Sequence, residues 1–409
     1  MRAAALLALA LAALALTACA AAPRSCATAP AAPPLPRSPS PAVELVESAP
    51  VETALDHPDI PNAGDVWLAM IAGATRSIDV AQFYAVSAPG SRLEAVVQAI
   101  EAAADRGVAV RFLLETIFLS KYPDLARRLG ARKNVTVRAF DASKTMGGIL
   151  HAKYFVVDGR EAYLGSQNFD WRSLDHIQEI GVRVREPRTV AVLAEVFASD
   201  YAFAGGEARP IRARAADFPV TVDVGGGPVA VTLVLSPKGF VGDDGLWELP
   251  ALVALLDGAK RRIEVQMLTY KPAFRDGAPF RTLDDALRRA ASRGVSVRLT
   301  CADWQDKPGQ IEPLQDLART PNIEVKLIHV PAWSGGDVPF ARVVHAKYLV
   351  VDETEVAWVG TSNWEGDYFV KSRNVGLVLR GGPFAERLHR VFSDGWSGPY
   401  AKPVTPAAR

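Results

Sequence analysis

The 409-residue sequence has few cysteines and no excess of charge of either sign. Cys19 and Cys26 lie near the N terminus and Cys301 ends a predicted buried strand, so we expect no disulfide framework. Lysine and arginine number 46, and aspartate and glutamate 45. No overall positive field therefore draws the chain to polyanions, and any affinity for phosphate must come from a local cluster. A content of 49% apolar and 22% charged residues excludes a disordered or fibrous protein.

An apolar run of alanine and leucine occupies residues 3–16, after Arg2. The following residues, Leu-Thr-Ala-Cys19, resemble the bacterial lipobox, so we expect cleavage before Cys19 and lipid on its thiol. An ordinary signal peptide or an uncleaved anchor is the alternative. Ala20 differs from the aspartate of an inner-membrane retention signal. We therefore expect a lipid-anchored protein of the bacterial cell envelope that faces the periplasm, with the outer membrane favoured.

The rest of the chain is long enough for two ordinary domains. Alanine, proline and serine dominate residues 20–50, a composition typical of an extended tether. A hairpin broken by three glycines is predicted within residues 218–235. The predicted organisation is a signal peptide at 1–18, a tether at 19–50, an N-terminal domain at 51–215, and a C-terminal domain at 216–400 that begins with the hairpin.

The two predicted domains are repeats of each other. Residues 73–84 are echoed by residues 258–270, and each segment is followed by a helical pattern, at 93–106 and at 283–293. Short strands alternate with these helices, which predicts an α/β fold. Each half should be a mixed sheet flanked by helices, because a later strand must return by a hairpin. Pairing the halves would place a site at their interface.

A histidine and a lysine two positions apart, followed by an aspartate, occur once in each repeat. A histidine and a lysine so spaced in an extended segment point to the same side. Each copy offers a nucleophile or acid beside a fixed cation, and the two copies together suit cleavage of a phosphodiester. The residues of this H-x-K-(x)4-D motif are His151, Lys153 and Asp158, and then His345, Lys347 and Asp352.

The aspartates of the motif are predicted to lie far from the phosphate. Seven strand residues at about 3.3 Å each place Asp158 roughly 23 Å from its histidine. We therefore expect Asp158 and Asp352 to serve as turn or strand-end ion-pairing residues. With Asp158 and Gly159 as the turn, His151 should pair with Ser166, and Lys153 with Leu164.

Hydroxyl and amide side chains follow each motif on the returning strand. They are suited to holding phosphate oxygens beside the histidines. One neutral imidazole would attack phosphorus while the other protonates the leaving alcohol, and the lysines would stabilise charge without a metal ion or cofactor. The remaining histidines, at positions 57, 176, 329 and 389, are predicted to be surface or core residues. The predicted donors are Ser166, Asn168, Thr361 and Asn363.

These motifs resemble the double signature of the phospholipase D superfamily, over residues 54–399. Residues 165–174 and 360–369 are similar to the branch with the animal endolysosomal members and the poxvirus envelope relatives. The resemblance implies that His151 is the nucleophile and His345 the acid and base. It also implies that a polar residue about 28 positions after each histidine contacts the histidine of the other half. These residues are Glu179, expected to keep His345 protonated, and Asn374, whose neutrality should leave His151 unprotonated.

The superfamily cleaves phospholipids and nucleic acids, and some members transfer phosphatidyl groups. A membrane tether favours phospholipid head groups as the substrate, and balanced charge disfavours a long polyanion. A 5′-exonuclease on single strands, a phosphatidyl transferase and an inactive envelope scaffold are the alternatives, and no protein partner is predicted. The aromatic residues after the donors would stack a terminal base, line an acyl groove or simply pack at the domain interface. They are Trp171, Trp364, Tyr368 and Phe369.

Overall fold

The computed structural model describes residues 41–406, which form one compact unit. The predicted signal peptide, the lipidation site Cys19 and most of the predicted tether lie outside the described residues. Within residues 41–406, no helix is both long enough and apolar enough to cross a bilayer.

The described part contains 19 strands and 12 α-helices. The strands are β1 Val43–Ser48, β2 Ser77–Gln82, β3 Ala85–Val86, β4 Ala109–Glu115, β5 Val135–Phe140, β6 Tyr154–Val157, β7 Glu161–Gly165, β8 Phe169–Asp170, β9 Ile177–Val184, β10 Val220–Asp223, β11 Pro228–Ser236, β12 Arg262–Gln266, β13 Ser296–Ala302, β14 Ile323–Ile328, β15 Val343–Val344, β16 Tyr348–Val351, β17 Val356–Gly360, β18 Asn374–Arg380 and β19 Ala401–Pro403. The helices are α1 Ala63–Ala72, α2 Arg92–Asp105, α3 Thr116–Lys121, α4 Asp124–Gly130, α5 Ala142–Thr145, α6 Trp171–Asp175, α7 Pro187–Phe203, α8 Glu248–Gly258, α9 Thr282–Ser292, α10 Glu312–Leu317, α11 Gly366–Val370 and α12 Phe384–Ser397.

Both halves contain the same sheet. The strand order is β1-β9-β7-β6-β2-β4-β5 in the first half and β11-β18-β17-β16-β12-β13-β14 in the second, where β10 and β19 extend the edges. Within these two orders, β2, β4 and β5 are parallel, as are β12, β13 and β14, and the remaining neighbours pair antiparallel. The prediction of a duplicated α/β fold with mixed sheets is confirmed.

The tether ends earlier than predicted, which is a correction to the boundary at residue 50. Strand β1 pairs antiparallel with β9 and buries Leu45 and Val46 completely. A composition averaged over residues 20–50 hides this short strand among prolines. Its counterpart in the second half is β11, the second strand of the hairpin that was predicted at 218–235 and that the structure contains as β10 and β11.

The largest core lies between the two sheets and joins the halves. Helices α7 and α12 pack in it together with one face of each sheet, while α1 and α2 cover the other face of the first sheet and α8 and α9 that of the second. The outer helices follow from their sequence pattern. In α2, for example, Ser91 caps the amide of Glu94 and the periodic apolar residues Leu93, Val97 and Ile100 are buried.

Candidate active site

The two motif histidines are held by backbone hydrogen bonds between the halves. The amide of His151 donates to the carbonyl of Arg373 at 3.0 Å, and the amide of His345 donates to the carbonyl of Gln178 at 2.8 Å. Strand β15, just before His345, pairs in parallel with β9 of the first half. Each histidine therefore lies against the strand that carries the other half's polar partner.

His345 contacts the carboxylate of Glu179 across the interface. Its Nδ1 lies 2.7 Å from Oε2 of Glu179, which is fully buried. Ser166 supports this partner, because its hydroxyl accepts the amide of Ile180 at 3.1 Å and donates to the carbonyl of the same residue. The contact that the resemblance implied for Glu179 is present.

His151 contacts the amide side chain of Asn374 at the equivalent point. The Nδ2 of Asn374 donates to the carbonyls of Tyr368, at 2.8 Å, and Ser372. These contacts orient the amide so that its Oδ1 faces Nδ1 of His151 at 3.1 Å and accepts a hydrogen bond from it. The proton of a neutral His151 thus lies on Nδ1, and the lone pair on Nε2 is free to attack an electrophile.

Each motif lysine is fully buried and bonded to its own motif. Nζ of Lys153 donates to the carbonyl of His151 at 2.6 Å, and Nζ of Lys347 donates to the carbonyl of His345 at 2.5 Å. Each ammonium is therefore held in place and keeps further N–H donors. Burial lowers the pKa of both lysines, that of Lys347 to about 7.

Burial also opposes charge on the histidines. It lowers the pKa of His151 and of His345 well below the usual value, and the two lysine charges add to this effect. Burial raises the pKa of Glu179 to about 7. His345 and Glu179 therefore form a buried pair that shares a proton at 2.7 Å, and the expectation that Glu179 keeps His345 protonated stays a prediction.

The motif aspartates cap the start of a neighbouring strand. Asp158 accepts the amides of Thr75, Arg76 and Ser77 at 2.7 to 2.9 Å, together with the hydroxyl of Thr75. Asp352 accepts three successive amides at the start of β12. Although burial acts to raise it, these hydrogen bonds lower the pKa of Asp158 to about 2. The aspartates contact backbone amides and not the histidines, as a strand-end role predicts, but the expected ion pairing is replaced by amide capping.

The first hairpin is one residue out of the predicted register. Tyr154 pairs with Leu164, which shifts the pairing predicted between Lys153 and Leu164 by one position. The connection has three residues rather than two, because Asp158 and Gly159 both adopt positive φ and Arg160 is also needed to close the turn. The returning strand of the second half lies beside its motif as expected, since the amide of Gly360 donates to the carbonyl of Lys347.

The four predicted phosphate donors divide into two kinds. The hydroxyl of Thr361 donates to Oδ1 of Asn374 at 2.8 Å and accepts the amide of Val375, just as Ser166 supports the residue after Glu179. These hydroxyls position the histidines' partners, which corrects their assignment as phosphate donors. Asn168 and Asn363 do line the cavity that contains both histidines, so their amides remain available to a phosphate group.

This cavity, of about 330 Å³, has an aromatic wall that the sequence did not predict. The rings of Phe83 and Phe118 lie 4.1 Å apart, and Tyr84 and Tyr122 continue the wall. Of the four aromatic residues proposed from the sequence, Tyr368 lines the cavity, at 4.7 Å from the His151 ring. The other three pack elsewhere, Trp364 and Phe369 in the core of the second half and Trp171 against His176. Phe83 and Tyr84 end the first repeated segment, a position that could have indicated them.

The remaining candidates stay outside the cavity lining. His57 pairs with Glu47 and His389 with Glu264, so both have ordinary structural partners. Cys301 is buried and free. Within residues 41–406, no group of three histidine, cysteine, aspartate or glutamate side chains is arranged to hold a metal ion.

Comparisons with known proteins match this geometry over most of the chain. The family model described as cardiolipin synthase, PLD-like domain, matches residues 67–201 and 252–396. Phospholipase D Z of Dictyostelium discoideum is 32% identical, over 89% of this chain and 91% of the relative. The 5′-3′ exonuclease PLD3 of Rattus norvegicus is 32% identical, over 89% of this chain and 82% of the relative. The solved structure of phosphatidylserine synthase from Haemophilus influenzae Rd KW20 shares the fold, with a TM-score of 0.60 at 11% identity, over 88% of this chain and 87% of that one.

A duplicated α/β fold that brings one motif histidine from each half to one cavity, each beside a buried lysine of its own motif, defines a class of phosphodiester-processing enzymes. The chain belongs to the phospholipase D superfamily, and the resemblance seen in its motifs is confirmed.

Proposed function

We propose that this protein cleaves phosphodiesters through a covalent phosphohistidine on His151. The observation that carries the proposal is the orientation of Asn374, which leaves the Nε2 lone pair of His151 free. In the first step, Nε2 forms a bond to phosphorus as the bond to the leaving alcohol breaks, and His345 protonates that oxygen. In the second step, His345 takes a proton from water, the water oxygen bonds to phosphorus, and the bond to His151 breaks.

The pair of His345 and Glu179 is suited to this change of role. When the pair holds two protons, Nε2 of His345 carries one of them, whether the other lies on Nδ1 or on the carboxyl group. When the pair holds a single proton between Nδ1 and the carboxylate, Nε2 becomes a base. The negative charge of an incoming phosphodiester favours the doubly protonated form, and Lys153 and Lys347 stabilise the non-bridging oxygens.

We favour a phospholipid as the substrate. Two large apolar side chains are well exposed among the described residues: Phe340, which lines the cavity, and Ile117, on the helix whose Phe118 lines it. Exposed apolar groups in this region are expected for an enzyme working at a lipid surface. The relative named phospholipase D Z and the predicted lipid anchor support the same substrate.

A 5′-exonuclease is the second candidate, because the aromatic wall of Phe83, Tyr84, Phe118 and Tyr122 suits the stacking of a terminal base. The relative named 5′-3′ exonuclease PLD3 supports it. A phosphatidyl transferase would share the covalent step and differ only in the acceptor.

The test is to incubate the protein with a chelator and either a short-chain phosphatidylglycerol or a 5′-hydroxyl single-stranded oligonucleotide. Rapid quenching in alkali, which preserves phosphohistidine, should give a phosphorylated peptide that contains His151. His151→Asn should abolish both the adduct and the product, and His389→Asn, outside the cavity, should change neither. Phosphatidic acid would identify a lipid hydrolase and released mononucleotides an exonuclease, whereas turnover without any adduct on His151 would refute the covalent mechanism.

A further inference from the structure

Two large apolar side chains are well exposed in the described part of the chain; one lines the cavity and the other lies on a helix that forms part of the cavity wall. Phe340 is 67% exposed and lines the cavity that contains His151 and His345. Ile117 is 57% exposed and lies on α3, whose Phe118 and Lys121 line the same cavity. The two come from different halves, so they occupy separate parts of the cavity rim. Large apolar groups exposed at one functional opening mark a contact surface.

The backbone that holds Phe340 in its exposed position is strained. Phe340 has a φ of 61°, in the left-handed region that a bulky side chain rarely adopts. The residues on both sides are fixed to the first half. Arg172 donates to the carbonyl of Pro339 at 3.0 Å, and the amide of Arg342 donates to the carbonyl of His176 at 2.9 Å. Folding alone does not require a strained backbone that is anchored on both sides of an exposed ring.

The helix that carries Ile117 is held beside the segment that contains His151. Helix α3 follows Glu115, whose carboxylate accepts the amide of Leu150, the residue before His151, at 2.6 Å. On the same helix Phe118 packs at 4.1 Å from Phe83 in the cavity wall, while the side chain of the neighbouring Ile117 is exposed to solvent. Lys121 adds an exposed cation at the end of α3.

We propose that Ile117 and Phe340 insert into the surface of a phospholipid bilayer and hold the cavity mouth against it. This inference rests on the proposed phospholipid substrate. An aliphatic isoleucine cannot stack on a base, so a single strand of nucleic acid would use Phe340 but gain little from Ile117. A bilayer accepts both side chains, and Lys121 lies where it meets anionic head groups.

The predicted anchor makes this orientation geometrically accessible. Between Cys19 and the first described residue, Pro41, the chain has more than 20 residues, many of them proline. At about 3 Å per residue such a segment reaches roughly 60 Å, enough for the cavity mouth to face the membrane that holds the anchor.

The test measures binding of residues 41–409, the compact unit, to vesicles of phosphatidylcholine and phosphatidylglycerol at 3:1, in a His151→Asn background that prevents turnover. Ile117→Ser and Phe340→Ser should each weaken binding about tenfold, and together by more. Phe340→Trp should retain binding to the vesicles, and the fluorescence of the tryptophan at position 340 should be quenched by brominated lipid acyl chains.

Binding by the double serine variant that equals the parent would overturn the proposal. The proposal would also be overturned if both serine variants bound a single-stranded oligonucleotide more weakly but bound vesicles as the parent does. That result would assign the rim to nucleic acid. Hydrolysis of a monomeric short-chain lipid by the unsubstituted protein tests the substrate separately, because a monomeric lipid presents no bilayer surface to bind.

Discussion

At the scale of single residues, the site depends on side chains that do not line the cavity. Asn374 selects the tautomer of His151, and Thr361 holds Asn374 in place. Glu179 and Ser166 have the corresponding places beside His345. The halves thus use the same geometry with one neutral and one acidic partner, which gives the two histidines different proton chemistry.

Replacing Asn374 with aspartate should change the proton chemistry of His151. The carboxylate cannot donate to the carbonyls of Tyr368 and Ser372, and its charge would raise the pKa of His151. We expect kcat/KM to fall at least tenfold and its acidic limb to move up by about one pH unit. A pH profile of phosphodiester cleavage measures this shift, with Thr361→Ser, which keeps the hydroxyl, as the control. An acidic limb at the position of the parent would contradict the tautomer assignment.

The sequence predicted the motif residues and their partners but missed the residues that shape the cavity. His151, His345 and both lysines follow from a repeated motif, and the contacts of Glu179 and Asn374 follow from family spacing. The aromatic wall comes from the segment after β2 and from α3 and the residue that follows it, all in the first half. These segments meet because β2 and β4 are parallel neighbours in the sheet, which a local reading of the chain cannot show.

At the scale of secondary structure elements, each motif joins a hairpin to the strand that begins the repeat. Asp158 ends β6 and caps the start of β2, and Asp352 does the same for β16 and β12. The motif therefore fixes the strand whose first residues precede it by about 80 positions. The one-residue error in the predicted hairpin register has a local cause, since the left-handed Asp158 and Gly159 require a third turn residue.

Asp158→Asn should destabilise the fold more than the chemistry. Its carboxylate accepts four hydrogen bonds, and an amide cannot replace all of them, so we expect a loss of about 2 kcal/mol in the free energy of unfolding. The folded fraction should keep its specific activity, because Asp158 contacts neither histidine. Urea unfolding and active-site titration measure the two effects. Full stability with abolished turnover would give the aspartate a catalytic role instead.

At the scale of the whole molecule, a buried ion pair ties the halves together beside the site. The guanidinium of Arg373 donates to both carboxylate oxygens of Asp200 on α7 at 2.8 and 2.9 Å, and both side chains are fully buried. The backbone of Arg373 accepts the amide of His151. Rigid docking of one half on the other is therefore coupled to the position of His151.

Removing either partner of this ion pair should cost about 3–5 kcal/mol of stability, because the remaining charge stays buried. Arg373→Met and Asp200→Leu together should cost less than the sum of the single changes. Urea unfolding of the four proteins in a double-mutant cycle measures the coupling. Additive costs would show that the two charges do not depend on each other.

Buried carboxyl groups also set how stability changes with pH. Glu248 is fully buried in the second half, where its carboxyl accepts the hydroxyls of Ser236 and Ser362 and the indole N–H of Trp358. Burial raises the pKa of Glu248 to about 7, from 4.5. Between these values the folded protein holds a proton that the unfolded chain releases. The contribution to stability is thus complete below pH 4.5 and is lost as the pH rises through about 7.

Glu248→Gln removes this titration. The substitution should therefore change the free energy of unfolding more favourably at pH 8 than at pH 5, and the difference between the two changes should be roughly 3 kcal/mol. The glutamine can keep the indole contact, and the serine hydroxyls can rotate to accept from its amide. Denaturant unfolding at the two pH values measures the difference, with Glu386→Gln on the exposed side of α12 as the matched control. An equal effect of Glu248→Gln at both pH values would mean that Glu248 titrates as an exposed carboxyl does. Activity should follow the parent in either case, because Glu248 lies outside the catalytic cavity.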